Sequence, residues 1–302
     1  MVTRLSAGLA ALVACLVAPA AALAAFPGTN GRLVTTFAWG PSGHQGLATM
    51  RPDGSNLVRL SDAAASEAAW SADGRQLAYA GIFTVSAGGG RPMLLTSERG
   101  TDPAWSPGGR LLAYAKAESA VAVVDRATGR ERVLVRGIRI RDVDWSPDGR
   151  TIAYVNDRDL FTVRADGGRP RRLTNEPAER QEGPVLHYEH YVDDIDWSPD
   201  GRSIVFTEFV NAPCDGCGTG IWRIRPHGRK RTRLTAGSSH SGPVWSPDGR
   251  VITYCLHSMG EPSQRLTMRA DGTQLGALEG PCADDWQALP RRRGHGRPRE
   301  AR

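Results

Sequence analysis

Seven histidines, four cysteines beyond residue 200 and a regularly spaced set of carboxylates are the groups of this 302-residue chain best able to do chemistry. His187 and His190, with Asp193 and Asp194 just behind them, supply the donor types of a divalent-metal or substrate site, which His240 or His257 could complete. No helical H-E-x-x-H or other fixed ligand spacing accompanies them, so the plainer reading, that histidines collect in polar loops, competes with the metal. Cys214-x-x-Cys217 has the spacing of a redox or zinc half-site, but no second C-x-x-C exists to complete four ligands. A G-x-S-x-G nucleophile elbow is absent, since Gly237-Ser238-Ser239-His240-Ser241-Gly242 carries the letters at the wrong spacing. No Ser/His/Asp order or Gly-rich phosphate loop stands out either. No cofactor is expected, a divalent cation at the histidines being the one candidate.

Composition limits what can hold these groups. Hydrophobic residues make up 40% of the chain and charged ones 23%, which is too apolar for disorder throughout. The 35 Gly and 20 Pro, spread along the sequence, interrupt it too often for long helices and favour short strands joined by turns. A repeat orders those strands. Trp145-Ser146-Pro147-Asp148-Gly149-Arg150-Thr151-Ile152-Ala153-Tyr154 recurs from Trp70, Trp105, Trp197 and Trp245, at spacings of 35, 40, 52 and 48 residues. These bracket the length of a four-stranded propeller blade, about 40 to 45 residues. Pro presets the first turn dihedral, Asp tolerates the bridge conformation and Gly accepts positive φ, so each copy is a tight hairpin.

Second hairpins, such as Arg51-Pro52-Asp53-Gly54 and Ala165-Asp166-Gly167-Gly168, number six against only five full copies. Near the start, residues 30–37 carry the second half of the motif without its Trp strand. Near the end, Asp284-Asp285-Trp286-Gln287 carries the Trp strand without the rest. The expected fold is all-β: a six-bladed β-propeller of four-stranded antiparallel blades over residues 29–289. Its split blade is closed by pairing of the N- and C-terminal strands, which removes the open edges of a linear array.

The W-S-P-D-G-R hairpin followed by I-A-Y or I-V-F resembles the TolB-type, WD-like β-propeller repeat, over roughly residues 29 to 289. The resemblance implies the propeller and leaves function open, because such propellers are similar to those of periplasmic scaffolds, of serine peptidases and of some polysaccharide lyases. Neither the helical N-terminal domain of TolB nor a hydrolase domain is expected here.

In a meander of strands A to D from the centre outward, the A-B and C-D turns share one face and the B-C and D-A connections share the other. Short repeated hairpins fill the first face. Every irregular loop falls on the second: the D-A connection from Asn175 to Asp193, and the B-C loops 211–220 and 256–263. His44, His187, His190, His240 and His257 map there too, and function is expected on that face. Trp39, Tyr188 and Tyr191, beside His187, His190 and His257, are the expected partner contacts, with packing of the insertions as their competing role.

The residue three before each blade Trp is Glu67, Asp102, Asp142, Asp194, Gly242 or Ala283, and Asp144, Asp196 and Asp285 stand one before theirs. Where strand A enters the channel, these acids would suit a cation or a basic peptide. Alternatively they cap neighbouring turns or pair with the Arg after each D-G. Cys214 and Cys217 are close enough to close a small ring. Cys255 and Cys282 fall on the same face across the closure seam, where a bridge would tie the last strand to its neighbour.

Residues 1 to 24 read as a secretory signal, with Arg4, an uncharged run from Leu5 and a small-x-small site at Ala22-Leu23-Ala24. A retained anchor and a lipidation box at Leu12-Val13-Ala14-Cys15 are the alternatives. No later segment reads as a membrane span. Residues 290 to 302 have the composition of a disordered basic tail. Six of the 38 basic residues lie in that tail and Arg4 in the leader, which leaves 31 in residues 25 to 290 against 31 of the 32 acids. The +6 of the chain therefore belongs to its ends. An exported monomer is expected outside the cytoplasm, whether periplasmic, wall-associated or secreted. It would bind a protein or cell-envelope polymer and no nucleic acid, since no basic block is interleaved with aromatics. The alternative is a metal-assisted carbohydrate lyase or hydrolase that uses the histidine-rich loops.

Overall fold

The computed structural model describes residues 27–39, 44–61, 67–175, 180–182, 186–211, 218–236, 239–258 and 263–289, with backbone alone for 37–39, 44–45, 180–182, 186–189 and 211. The leader, the basic tail, Cys214 and Cys217 lie outside the described residues.

Six antiparallel sheets form the ring. The first holds β1 (Thr29–Trp39), β2 (His44–Met50) and β3 (Val58–Ser61). The second is β4 (Ala69–Trp70), β5 (Gln76–Tyr79), β6 (Phe83–Ser86) and β7 (Met93–Leu94). The third is β8 (Gly100–Trp105), β9 (Leu111–Lys116), β10 (Ala120–Asp125) and β11 (Glu131–Arg136). The fourth is β12 (Ile140–Trp145), β13 (Thr151–Asn156), β14 (Asp159–Arg164) and β15 (Arg171–Arg172). The fifth is β16 (Arg180–Glu182), β17 (Leu186–Trp197), β18 (Ile204–Asn211), β19 (Gly218–Ile224) and β20 (Thr232–Arg233). The sixth is β21 (His240–Trp245), β22 (Val251–Leu256), β23 (Gln264–Arg269) and β24 (Gln274–Leu278). The last strand, β25 (Asp285–Leu289), returns to the first blade as its innermost strand and pairs with β1, Leu33 opposite Trp286 and Val34 opposite Asp285. The split blade is closed as the sequence predicts. No helix among the described residues is long and apolar enough to cross a membrane.

The repeated hairpin owes its sequence to one hydrogen-bond set. In blade 4 the Ser146 hydroxyl donates to Asp148 Oδ1 at 2.6 Å, the Arg150 N–H donates to the same oxygen at 3.0 Å, and the Thr151 N–H donates to Ser146 Oγ at 2.9 Å. Ser71 and Asp73, Ser198 and Asp200, and Ser246 and Asp248 repeat it. Blade 3 has Gly108 where the others have Asp and keeps only the bond from the Leu111 N–H to Ser106 Oγ. The following Gly is required as well as tolerated. Gly201 sits at φ 67, and a Cβ there would come within 3.2 Å of the Pro147 ring of the preceding blade.

The apolar core lies between blades rather than at the ring's centre. Trp145, Ile152 and Tyr154 of blade 4, for example, pack on Ala113, Val121 and Val123 of blade 3. Each of the other five seams has such a cluster. The blade tryptophans are at most 6% exposed, and truncating a residue of this kind costs about 3 to 5 kcal/mol.

One sequence expectation is corrected. Residues 186 to 193, expected within an irregular D-A connection, extend the innermost strand of blade 5 to twelve residues, and β16 pairs with this extension (Arg180 opposite Tyr188) to add a fifth strand. Strand pairing satisfies the segment's main chain, and its apolar-polar alternation runs only from Leu186 to Glu189 before it breaks.

Candidate functional site

The innermost strands run from the loop-rich face toward the hairpin face, and their entries enclose a cleft of about 410 Å³ at the mouth of the channel. All six blades contribute to its lining. Glu67, Asp102, Asp142 and Asp194 line it, joined by Asp144, Asp196, Asp284 and Asp285.

A backbone device explains the acids at the position three before Trp. The strand register slips between Thr101 and Ala104, between Arg141 and Asp144, and between Asp193 and Asp196, which marks a β-bulge in each. At these bulges Asp102, Asp142 and Asp194 adopt φ of 51°, 47° and 48°, Glu67 adopts 53°, and Gly242 of blade 6 adopts 61°. Asp and Gly are the residues that enter this left-handed region most readily.

The carboxylates also join blades. Asp144 Oδ2 accepts the Trp197 N–H at 2.8 Å, Asp196 Oδ2 the Trp245 N–H at 2.6 Å, and Asp285 Oδ2 the Trp70 N–H at 2.7 Å. In an inner ring, Glu67 Oε2 accepts the Asp102 N–H at 2.9 Å and Asp194 Oδ2 the Gly242 N–H at 3.0 Å. Asp102 accepts the N–H of Asp142, and Asp284 Oδ2 takes those of Thr36 at 2.9 Å and Ala68 at 3.4 Å. Seven of the eight acids thus reach the main chain of the next blade and not the Arg of a D-G turn, which for them replaces the turn-capping and Arg-pairing alternative, while Asp142 lies beside Arg141, 3.7 Å from its Nε, and Asp193. Asp284 escaped sequence reading because it sits two before Trp286, out of step with the other blades.

Crowding these acids into one cleft penalises their charged forms. Burial first, and the charge of Glu67 second, push Asp102 up to about 7. Burial drives Asp144 up to about 8 and Asp284 and Asp285 up to about 7. Asp142 and Asp196 are raised well above the ordinary range by burial and by neighbouring carboxylates, and Glu67 and Asp194 are raised as well. The mouth binds protons near neutrality and would exchange them for a cationic group.

The histidines do not converge. His257 is exposed at the mouth, with Nε2 2.6 Å from Ser241 Oγ and Nδ1 2.8 Å from Ser263 Oγ. This is the spacing of a nucleophile and its base. The Gly242 N–H, however, is committed to Asp194 and to Thr207 Oγ1, residue 243 is proline, and the surrounding carboxylates would oppose a developing oxyanion. The contacts tie Ser263 through His257 to Ser241 at the start of β21. His240 stands edge-on to Tyr254 with ring centroids 5.5 Å apart, and burial holds it below the ordinary histidine range.

His190 bonds through Nε2 to Oε1 of Glu208, a 4% exposed acid in the middle of β18 that also pairs with Arg231. His190, Tyr191 and Asp193 come together in a side pocket of about 270 Å³ with Arg139, Arg141, Asp157 and Arg158. There Arg141 donates to Asp193 at 2.8 Å and lies over the Tyr191 ring, which packs on Phe209 at 4.8 Å between centroids. Packing therefore occupies Tyr191. His187 and Tyr188 lie on β17 and Trp39 on β1, their side chains outside the described residues. His187 and His190 stand three apart on one strand. Among the described residues no three His, Cys, Asp or Glu side chains gather as a metal-holding group.

Cys255 and Cys282 form a disulfide, with Cα atoms 5.9 Å apart. It borders the cleft and joins β22 to the segment before β25, across the closure seam.

The comparisons with known proteins agree with this architecture. A curated relative, an uncharacterised protein of Agrobacterium fabrum, is 28% identical over 132 residues, 43% of this chain and 39% of its own length. The chain thus matches well under two thirds of that relative. TolB from Acinetobacter baumannii superposes with a TM-score of 0.67 at 18% identity, over 87% of this chain and 68% of that one. A TolB candidate from Agrobacterium tumefaciens gives 0.61 at 21% identity, over 85% and 94%. An oligogalacturonate lyase in complex with manganese gives 0.56 at 14% identity, over 82% and 74%. At such identities these structures share the fold alone. The TolB beta propeller domain model matches residues 99–283, more than half of the sequence, and the chain belongs to that family.

Proposed function

We propose that this protein is an exported binding propeller that receives a cationic segment of a protein partner at its channel mouth. The observation that carries this reading is the cleft of about 410 Å³ on the loop-rich face, in which eight carboxylates from five of the six blades stand together. Their burial makes an incoming cation favourable, because it replaces the protons that now offset the charge. Export is supported by the apolar leader and by the Cys255–Cys282 pair, a bond that persists in oxidising compartments. The separate engagements of His190, His240 and His257 do not favour a metal-assisted lyase or hydrolase.

A photo-crosslinking residue placed at His257, at the mouth, and another at Asp148, on the hairpin face, test the reading in the intact cell. A discrete protein adduct from position 257 and no protein adduct from 148 is expected. Equal adducts from both faces, or adducts from 148 alone, would overturn it.

A further inference from the structure

The folded ring is formally neutral between residues 25 and 290, yet eight of its acids line the channel mouth. Its outer surface therefore carries an excess of cations, and two adjoining segments hold much of it. Residues 164 to 172, at the outer edge of blade 4, contain Arg164, Arg169, Arg171 and Arg172 against Asp166 alone. Residues 223 to 233, the equivalent stretch of blade 5, contain five Arg, Lys230 and no acid. The segments touch, Arg171 Nη2 donating to the His227 carbonyl at 2.8 Å.

Some of these cations are engaged. Arg164 pairs with Asp166 and Arg172 with Asp159, both at 2.5 Å, while Arg231 bonds Glu208 and lies over Trp222. Arg223 donates to the Ala270 carbonyl. Arg169, Arg171, Arg225, Arg229 and Lys230 are exposed, and no carboxylate of the described residues pairs with them. Beside them a groove on the hairpin face passes from Pro147, Pro199 and Pro226 to Arg202 and Arg225.

We propose that this ridge docks a linear anionic polymer bearing a carboxylate or phosphate on each repeating unit. Clustered like charges repel one another, and a chain of regularly spaced anions relieves that repulsion along the whole ridge. Guanidinium forks match carboxylate and phosphate oxygens in pairs. A lipid surface fits less well. The exposed large apolar side chains, among them Leu57, Met93, Leu94, Ile138 and Leu275, lie on blades 1, 2, 3 and 6, and among the described residues blades 4 and 5 offer none to insert. The ridge sits toward the hairpin face, so the polymer holds the ring by its edge and leaves the channel mouth open.

The test uses the full chain at 50 and 300 mM NaCl with three probes: polygalacturonate, polyphosphate, and vesicles containing phosphatidylglycerol. One variant combines Arg169→Gln, Arg225→Gln, Arg229→Gln and Lys230→Asn, the last because Lys230 has a φ of 56°. A second variant changes the six arginines of residues 291 to 302 to Gln. Wild type should bind at least one polymer, more weakly at the higher salt, and the ridge variant about a hundredfold less tightly at 50 mM. The tail variant should stay within about tenfold of wild type. Which polymer binds separates carboxylate from phosphate. The proposal is overturned if the ridge variant, with unchanged circular dichroism and melting, binds like wild type. Loss confined to the tail variant, tighter binding of vesicles than of either polymer, or no polymer binding by wild type would each overturn it as well.

Discussion

Between blades 5 and 6, Asp196 and Asp194 accept the main-chain N–H groups of Trp245 and Gly242, whereas between blades 6 and 1 the corresponding acceptor positions are Val244 and Gly242, and the Cys255–Cys282 disulfide spans the gap. The other four seams follow the first pattern, through Asp144, Asp285, Asp284, Glu67 and Asp102. The seam without such acids is also crossed by Arg265, fully buried, which donates to the Pro52 carbonyl of blade 1 at 3.1 Å. The same mechanical task, fixing one blade to the next at the channel mouth, is done by ionisable groups at five seams and by a covalent bond at the sixth. The two kinds of seam should respond to different chemistry: pH acts on the first and reductant on the second.

The largest effect should come from the covalent seam. Cys282→Ser, or reduction of the wild type, should cost about 2 to 5 kcal/mol and lower the thermal midpoint by roughly 5 to 15 °C, with no further loss when reductant is added to the variant. Next comes a single carboxylate seam. Asp196→Ala leaves the buried Trp245 N–H without its acceptor and should cost about 1 to 3 kcal/mol in urea unfolding, while Asp196→Asn, which keeps an acceptor oxygen, should cost less than half of that.

The carboxylate seams also predict a pH dependence opposite to ordinary acid destabilisation. Asp102, Asp284 and Asp285 titrate at about 7 and Asp144 at about 8 in the folded chain, against an ordinary 3.8. The folded state therefore holds protons that the unfolded state has lost, and this contribution is fully present below about pH 4 and fades as pH rises through 7 to 8. Calorimetry from pH 8 down to 5.5 should show the midpoint rising by a few degrees, and a midpoint that falls over this window would break the comparison. The smallest effect concerns blade 3, where Gly108→Asp should restore the Ser-Asp bond of the other hairpins and stabilise by about 0.5 to 1 kcal/mol.

The ring itself was legible because Trp-Ser-Pro-Asp-Gly-Arg is a local code whose partners lie within six residues, and because residues 30–37 and 284–287 are halves of one blade. The positions of Glu67, Asp102, Asp142 and Asp194 could be counted back from each Trp. Their bonding could not, since the N–H that Asp196 accepts belongs to Trp245, nearly fifty residues on, and a repeat does not reveal which blade an acid faces. Cys255 and Cys282 were placed correctly once the blade order was known. The β17 extension was missed because the alternation of Leu186-His187-Tyr188-Glu189 breaks at His190, too short a run to announce a strand. Glu208 was missed because a single acid within Val205-Phe206-Thr207-Glu208-Phe209 gives no sign of the His190 and Arg231 that partner it.

The central claim is that the acidic mouth receives a cationic segment, and titration calorimetry with a Lys- and Arg-rich peptide tests it most directly. A chain carrying Glu67→Gln, Asp102→Asn, Asp142→Asn and Asp194→Asn retains acceptor oxygens, and Asn tolerates the left-handed backbone of the bulges. Binding to wild type should tighten from pH 5.5 to pH 8 and release protons at pH 7, because the peptide's charge displaces protons from carboxyls that titrate near neutrality. The variant should lose about tenfold or more in affinity at low salt and release fewer protons on binding. Equal affinity in the two chains, or binding to wild type that is indifferent to pH, would contradict the account.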